Sequence, residues 1–240
     1  MKNKVILAVG AHPDDMDFGA SGTVAKFVEE GATAYYLICT DGSRGSTDPK
    51  MTHKKLAEIR KKEQIEAGKI LGLKKIYFLN NTDTQLVSDL KLKEQIVRII
   101  RTVKPNIVIT MDPTFYYSTE FAFVNHTDHR AAALATMDAC FPLSRDRLTF
   151  LQHEKDGLKP HRVEELWLTS FTKPVHLVNI SKTFHKKIKA LALHDSQFDD
   201  FERIRKLMTN RGKMLAKNLP AGKAGEKYKF AESFVRIKMP

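Results

Sequence analysis

The chain has 240 residues, of which 42% are hydrophobic and 28% are charged, with a formal net charge of +12. This composition is typical of globular proteins with a sizeable core, and it excludes disordered, collagen-like and membrane-spanning classes. The length predicts one domain over residues 1–240, with a C-terminal extension of helices and a strand over about 181–240.

The start of the chain has a basic residue and a short apolar run that meets carboxylates immediately afterwards. This pattern indicates a first strand rather than a signal peptide, so we expect a cytoplasmic protein. Residues 181–240 carry 15 Lys and Arg against 6 Asp and Glu, with apolar residues between them. Such spacing is typical of solvated amphipathic helices, so we expect no nucleic-acid partner, with nucleic-acid binding through this basic segment as the alternative. We expect no membrane span, because no run approaches the roughly 20 apolar residues that a span needs.

Short apolar runs, rich in β-branched and aromatic residues, recur along the chain. Strands that are buried on both faces of a parallel sheet have this pattern. We predict four such strands in the first half of the chain, at Val5–Ala11, Ala32–Thr40, Lys75–Leu79 and Asn106–Asp112. Later strands are predicted at Glu165–Thr169, Val175–Ile180 and Phe230–Ile237.

Helical patterns fill the intervals between these runs. Helices are predicted at Ser21–Glu30, His53–Leu71, Leu92–Val103, Lys182–His194 and Asp200–Lys217, and a surface loop at Leu219–Lys227. The alternation of strand and helix predicts an α/β fold: a Rossmann-like, doubly wound, mostly parallel sheet with helices on both faces.

Polar side chains collect where the predicted strands end. His12, Asp14 and Asp15 follow the first strand, Asp41 follows the second, and the sequence Asn-His-Thr-Asp-His at 125–129 comes after the fourth. Ligands of doubly wound sheets bind outside the carboxyl ends of the strands. The sequence therefore predicts an active site at this edge of the sheet.

These side chains suit a divalent cation better than a dinucleotide, because two adjacent carboxylates after the first strand would repel a pyrophosphate. One imidazole and one carboxylate from residues 12–15, with a second imidazole from 126–129, make a three-ligand set of the kind found in catalytic zinc sites. The other carboxylate of the adjacent pair is then available as a general base. Asp128 can hold an imidazole in the required tautomer.

Each motif alone is more often a turn, a helix start or a polar surface cluster. Their joint occurrence at the ends of the first and fourth strands is what favours an active site. The other histidines have no spacing typical of metal ligands, and we expect them at the surface: His53, His153, His161, His176 and His185.

The motifs together resemble those of the LmbE-like, or PIG-L, deacetylases. Ala11-His12-Pro13-Asp14-Asp15 is similar to the opening signature of that family, and Asn125-His126-Thr127-Asp128-His129-Arg130 to its second signature. Further matches extend the resemblance over nearly the whole chain: Thr40-Asp41-Gly42, Arg60-x-x-Glu63 ahead of Leu71-Gly72, Asp83, and His194-Asp195-Ser196-Gln197. Two departures, Thr127 for a frequent proline and Asp17 near a frequent glutamate, remove no expected ligand or base.

The resemblance implies zinc-dependent hydrolysis of an N-acetyl group, usually on a glucosamine-containing molecule. By position it implies that His12, Asp15 and His129 bind the metal. Zn²⁺ is the expected ion, although Fe²⁺ or another divalent metal fits the same ligands. It also implies that Asp14 is the general base.

For the remaining residues, the resemblance implies that His126 stabilises the oxyanion or protonates the leaving amine and that Asp128 orients His126. It implies contacts of Arg60 and Asp83 with sugar hydroxyls, and a homo-oligomer, either a trimer or a hexamer.

The sequence thus favours a metal-dependent N-deacetylase that acts on an N-acetylglucosamine-containing small molecule. A close alternative is an amidase of the same mechanism acting on a thiol conjugate or a longer N-acyl amide, because sequence does not give the size of the pocket. A non-catalytic sugar-binding protein is disfavoured by the presence of every expected ligand, base and acid. We expect the aromatic segment Phe115–Phe123 beside the pocket, with its rings packed together or stacked on a sugar.

Overall fold

A seven-stranded sheet is the centre of the fold in a computed structural model that describes residues 1–120, 122–169, 176–220 and 228–240. Its strands are β1 (Val5–Gly10), β2 (Thr33–Thr40), β3 (Lys75–Asn81), β4 (Ile107–Met111), β7 (Glu165–Thr169), β8 (His176–Asn179) and β9 (Ala231–Lys238). A separate hairpin contains β5 (Tyr117–Ser118) and β6 (Phe123–Val124).

The described helices are α1 (Asp15–Gly19), α2 (Ser21–Glu29), α3 (His53–Leu71), α4 (Leu90–Val103), α5 (Thr127–Asp138), α6 (Phe184–Leu191) and α7 (Phe201–Ala216). Local signals in the sequence set several of their ends. Thr52 caps α3 by accepting the N–H of Lys55, and Gly72 ends this helix with φ +76°, a conformation that favours glycine. None of these helices is long and apolar enough to cross a membrane.

The strands lie in the order β3-β2-β1-β4-β7-β9-β8. The first five are parallel to one another, whereas β9 runs antiparallel to both of its neighbours. The chain therefore moves outward from β1 in one direction and returns to β4 on its other side, which creates a switch point between β1 and β4. The predicted α/β, doubly wound, mostly parallel sheet is confirmed.

The core consists of two apolar layers, one on each face of the sheet. Successive side chains of a strand point to opposite faces, and β1 follows this rule. Ile6 and Ala8 pack with the layer that contains Trp167, whereas Leu7 and Val9 pack with the layer that contains Ile100. Burial on both faces explains why β1 is almost uniformly apolar in sequence.

The predicted elements agree with the structure within a few residues at their ends. The structure adds α1, β5, β6 and α5, which the sequence patterns did not delimit. Residue 175 of one predicted strand and residues 221–227 of the predicted loop lie outside the described residues. The predicted C-terminal extension contributes β9 to the main sheet, while the assignment of one domain to residues 1–240 stays a prediction.

His153 corrects the expectation that the non-motif histidines lie at the surface, because its side chain is fully buried. Its Nε2 lies 2.5 Å from Oε1 of Glu94, and its Nδ1 lies 3.3 Å from Nη1 of Arg101. Arg101, itself buried, donates to the carbonyl oxygens of Leu143, Ser144, Asp146 and Thr149. His153 is therefore part of a buried polar cluster, with Glu94 and Arg101, that binds the main chain of the segment after α5.

A buried ion pair joins the C-terminal strand to the first helices. Nζ of Lys187 lies 2.7 Å from Oε1 of Glu232 and also donates to the carbonyl oxygens of Asp17 and Phe18. The Glu232 carboxylate in turn accepts the N–H groups of residues 22 and 23, in the first turn of α2. One ion pair thus connects β9 and α6 to both α1 and α2.

We expect Lys187→Met to lower the free energy of unfolding by about 3 kcal/mol or more, because it leaves the Glu232 carboxylate buried without its cation. Urea denaturation followed by circular dichroism measures the difference. Lys189→Met removes the same charge from an exposed position of the same helix and should change stability by less than about 0.5 kcal/mol. Equal effects of the two substitutions would contradict the assigned role of the pair.

Candidate active site

The two histidine–aspartate motifs meet at the switch point of the sheet. Residues 12–15 follow β1, and residues 126–129 form the start of α5. The imidazole rings of His12, His126 and His129 lie with centroids 4.7 to 5.3 Å apart. The structure therefore brings together the motifs that the sequence places more than one hundred residues apart.

Asp15 lies between two of these imidazoles. Its Oδ1 is 3.0 Å from Nε2 of His129, and its Oδ2 is 3.7 Å from Nδ1 of His12. Burial would raise the pKa of this carboxyl group, but His129 and His12 hold it well below its ordinary value. Asp15 is thus an ionised carboxylate next to two imidazoles, which is a donor set that a divalent cation prefers.

Asp14 has a different environment although it is the next residue along the chain. Burial raises its pKa to about 6, while the positive charge of Arg60 lowers it and the charge of Asp15 raises it. Nη2 of Arg60 lies 3.3 Å from Oδ2 of Asp14. Of the two adjacent carboxyl groups, Asp15 therefore stays ionised, whereas the pKa of Asp14 is close to that of a general base.

The Asp128 carboxylate contacts His12, whereas the sequence predicts that it orients His126. Its Oδ2 lies 3.2 Å from Nε2 of His12 and accepts the N–H of Thr84, and its Oδ1 accepts the N–H of Leu86. His126 is instead held by the main chain, because its Nδ1 accepts the N–H of Asp128. Asp128 therefore holds two imidazoles, His12 through its carboxylate and His126 through its main-chain N–H, while its part in catalysis stays a prediction.

Asp83 also contacts His12, with Oδ1 3.0 Å from Nε2. Its other oxygen accepts the N–H of Arg44. Because two carboxylates face Nε2, this nitrogen carries the proton and Nδ1 is the nitrogen directed towards Asp15. Burial lowers the pKa of His12, but the bonds to Asp128, Asp15 and Asp83 outweigh it and raise the pKa to about 12. The surrounding carboxylates therefore favour positive charge at this point.

Arg60 is buried and its guanidinium has internal partners. It donates to the carbonyl oxygens of Pro13 and Gly42 as well as to Asp14. Gly42 has φ +63°, and a Cβ there would lie 2.8 Å from Nη1 of Arg60, so only glycine permits this approach. Arg60 and Asp83 are both buried and bind groups of the protein, and their contacts with sugar hydroxyls stay a prediction.

Asn125 is a site residue to which the sequence analysis assigns no role. Its Oδ1 lies 2.9 Å from Nδ1 of His129, and its Nδ2 donates to the carbonyl oxygen of Phe115. The side-chain oxygen fixes the proton of His129 on Nδ1 and leaves Nε2 directed towards Asp15. The spacing of four residues between Asn125 and His129 at the start of a helix is the sequence signal that could have indicated this contact.

The aromatic segment before α5 packs mainly on itself. The rings of Phe115 and Phe123 are stacked, with centroids 5.9 Å apart, and Arg130 lies over the ring of Tyr116. Tyr117 and Val124 are exposed. The contacts thus favour packing for the two phenylalanines, while residue 121 of this segment lies outside the described residues.

Among the described residues, two overlapping groups of side chains have the spacing that a metal ion requires. In each group the ligand atoms lie within 4.8 Å of one another, and the groups are His12 with His126 and His129, and His12 with Asp83 and Asp128. The chemistry of this donor set, imidazole nitrogens beside an excess of buried carboxylates, fits a divalent cation. The first group contains His126 in addition to the predicted ligands His12 and His129, whereas the third predicted ligand, Asp15, contacts both of those histidines but belongs to neither group.

The doubly wound sheet, with a histidine–aspartate cluster at its switch point, defines an α/β protein with a candidate metal centre. Residues 7–140 match the PIG-L family, described as GlcNAc-PI de-N-acetylase, and the chain belongs to this family. The resemblance stated from the sequence is thereby confirmed.

Named relatives extend the comparison over most of the chain. The diacetylchitobiose deacetylase of Thermococcus kodakarensis is 34% identical over 199 residues, which cover 82% of this chain and 71% of that protein. A probable N-acetyl-alpha-D-glucosaminyl L-malate deacetylase 2 of Bacillus anthracis is 28% identical over 82% of this chain and 84% of its own length. Both names describe deacetylases, which are amide hydrolases.

A solved structure supports the same conclusion for the fold. The N,N'-diacetylchitobiose deacetylase from Pyrococcus horikoshii, complexed with its inhibitor MPG, superposes with a TM-score of 0.86 and 29% identity. The superposition covers 98% of this chain and 84% of that chain. The shared fold therefore includes both the candidate site and the C-terminal strands.

Proposed function

We propose that this protein is a metal-dependent N-deacetylase that hydrolyses the N-acetyl group of an N-acetylglucosamine-containing small molecule. The observation that carries the proposal is the position of Asp15, which lies 3.0 Å from Nε2 of His129 and next to His12, beside the carboxyl group of Asp14, whose pKa burial raises to about 6. The names of the relatives support the choice of an N-acetyl sugar.

His12, Asp15 and His129 are the residues that would hold the metal, for which Zn²⁺ is proposed and Fe²⁺ is the main alternative. When bound, such a cation lowers the pKa of water from about 15.7 towards about 7 and polarises a carbonyl group. Asp83 and Asp128 keep His12 in place from the opposite side of its ring. These contacts fix the proton of His12 on Nε2, so Nδ1 is the nitrogen that would bind a metal.

Asp14 is the proposed general base. Its pKa of about 6 allows it to be ionised at neutral pH and still to accept a proton from the attacking water. Arg60 holds Oδ2 of this carboxylate, so the second oxygen is the one available for proton transfer. The proton then reaches the leaving amine, either directly from Asp14 or through His126.

His126 is proposed to stabilise the oxyanion or to protonate the leaving amine. Because its Nδ1 accepts the N–H of Asp128, its Nε2 carries the proton in the neutral ring. Burial lowers the pKa of His126, as do the nearby His12 and His129. The ring is therefore a neutral hydrogen-bond donor, and it becomes a proton donor only after it has received a second proton.

The cytoplasm is the proposed location, and a homo-oligomer, either a trimer or a hexamer, is the proposed assembly. The oligomer comes from the resemblance to the PIG-L family.

The reaction is tested by measuring acetate release from N-acetylglucosamine, diacetylchitobiose and other conjugates, with metal-stripped protein before and after addition of Zn²⁺ or Fe²⁺. We expect release that requires the metal. Release of a longer acyl group or cleavage of a thiol conjugate, without acetate release, would favour the amidase alternative. Tight sugar binding without any hydrolysis would favour a sugar-binding protein.

Asp14→Asn should retain metal but lower kcat by a factor of about 100 to 10,000, because it removes the base and leaves the proposed ligands in place. Metal content by atomic emission and kcat from acetate release measure the two effects. Asp48→Asn, at an exposed position of the loop after β2, is the matched control and should leave kcat unchanged. Activity close to that of the wild type would remove Asp14 from the mechanism.

His129→Ala should lose bound metal and activity together, since an imidazole ligand is removed from the site. The metal-to-protein ratio after dialysis gives the result independently of any substrate. His185→Ala changes an exposed histidine of α6 and should keep the full ratio. An unchanged metal content in His129→Ala would show that the ligand set is wrong.

A further inference from the structure

The backbone of Asp14 has an unusual conformation, with φ +96° and ψ −31°. A side chain with a Cβ atom rarely adopts this region, and such a conformation persists only where surrounding contacts hold it. In this conformation the carbonyl oxygen of Asp14 accepts the N–H groups of Asp17 and Phe18, and these bonds begin α1. Contacts that fix this residue therefore fix the position of its carboxylate.

The peptide unit between Pro13 and Asp14 is held at both ends by α3. Nη2 of Arg60 donates to the carbonyl oxygen of Pro13 over 2.7 Å, and the N–H of Asp14 donates to Oε1 of Gln64 over 2.9 Å. Arg60 and Gln64 are four residues apart and therefore lie on the same face of the helix. Together they set the plane of this peptide and, with it, the φ angle of Asp14.

The side-chain amide of Gln64 has two orientations, and Asp17 selects one of them. Nε2 of Gln64 donates to Oδ2 of Asp17 over 2.8 Å, and a carboxylate offers only acceptors. The amide nitrogen must therefore face Asp17, which directs Oε1 to the N–H of Asp14. Both side chains are fully buried, so water does not compete for these bonds.

Asp17 is held in turn by donors from other parts of the chain. Nε2 of His194 lies 2.9 Å from Oδ2, and the hydroxyl of Tyr36 lies 3.4 Å from Oδ1. The bond to Asp17 raises the pKa of His194 against the effect of burial. His194 belongs to His194-Asp195-Ser196-Gln197, the C-terminal motif, to which the proposed reaction gives no role. Its contact with Asp17 connects this motif to the residues that follow Asp14.

A second contact of the C-terminal motif reaches α3, the helix that contains Gln64. The carboxylate of Glu63 accepts the N–H and the hydroxyl of Ser196 over 2.8 and 2.7 Å. Glu63 and Gln64 are adjacent in α3. The C-terminal motif therefore contacts both α3 and Asp17, the two parts that orient Gln64.

We propose that Gln64 is a positioning residue for Asp14, that Asp17 sets the orientation of its amide, and that His194 supports Asp17. The proposal rests on the proposed function, since Asp14 is the general base there. Gln64 touches neither substrate nor metal in this proposal; it acts only through the main chain of Asp14.

The first test is Gln64→Met, which keeps the length of the side chain and removes both hydrogen bonds. Because a misplacement of about 1 Å costs on the order of 100-fold in rate, we expect kcat to fall about 10- to 100-fold while KM and metal content stay close to wild type. Gln95→Met is the matched control: Gln95 lies on α4, is half-buried and accepts a hydrogen bond from Asn81. It should leave kcat unchanged.

The second test exchanges the amide and the carboxylate between residues 64 and 17. Gln64→Glu places a carboxylate against that of Asp17 and should lower kcat at least tenfold. In Asp17→Asn/Gln64→Glu, the new amide nitrogen donates one hydrogen to the new carboxylate and the other to Nε2 of His194, whose proton then lies on Nδ1. The new carboxylate still accepts the N–H of Asp14, so kcat should recover at least tenfold over that of Q64E. All rates are taken per folded, metal-loaded molecule, because a residue with only a structural role would change the folded fraction without changing that rate.

Crystal structures of the wild type and of Q64M decide the proposal without any activity measurement. We expect the φ angle of Asp14 to leave the positive region in Q64M and its carboxylate to move. An unchanged Asp14 in Q64M, or wild-type kcat in that variant, would overturn the proposal. If the wild type released acetate from no substrate while Asp14 moved in Q64M, the proposed function would fail and the positioning contact would stand.

Discussion

The structure depends on one constraint: several carboxylates lie out of water at the same edge of the sheet, and each of them needs a partner. Asp15, Asp17, Asp83 and Asp128 are largely or fully buried, and Asp14 lies next to them. Buried charges are costly unless ion pairs and hydrogen bonds compensate them. Imidazoles, one guanidinium, a side-chain amide and main-chain N–H groups provide this compensation. They come from the loops after β1, β2 and β3, from α3 and α5, and from the segment after α6.

The fold and the location of the site could be predicted from the sequence because both are encoded locally. A strand buried on both faces is uniformly apolar, as in β1, and parallel strands bring their carboxyl ends to one edge. The sequence alone thus predicts that His12, Asp15 and His129 lie at the same edge of the sheet. The antiparallel insertion of β9 between β7 and β8 was not predicted, since the position of a late strand depends on which sheet edge is still open.

The partners of the site residues could not be predicted, because they depend on the direction of each side chain. Asp128 is two residues from His126, yet its carboxylate binds His12. Arg60 and Asp83 have the residue types expected of sugar ligands, but the folded chain turns them towards its own polar groups. No sequence signal marked Gln64, since a glutamine in a helix is usually a solvated side chain and its burial becomes visible only when α3 packs against the loop after β1.

The position of β9 has a consequence for the order in which the fold can form. β8 pairs with β9 and with no other strand among the described residues, and β9 comes about fifty residues later in the chain. During synthesis, β1 to β4 can associate through nearby crossovers, whereas β8 must wait for a partner that has not yet been made. Contacts of such long sequence separation form slowly. The edge of β7 therefore stays open until the last strand arrives, and the nascent chain is most prone to intermolecular strand pairing during that interval.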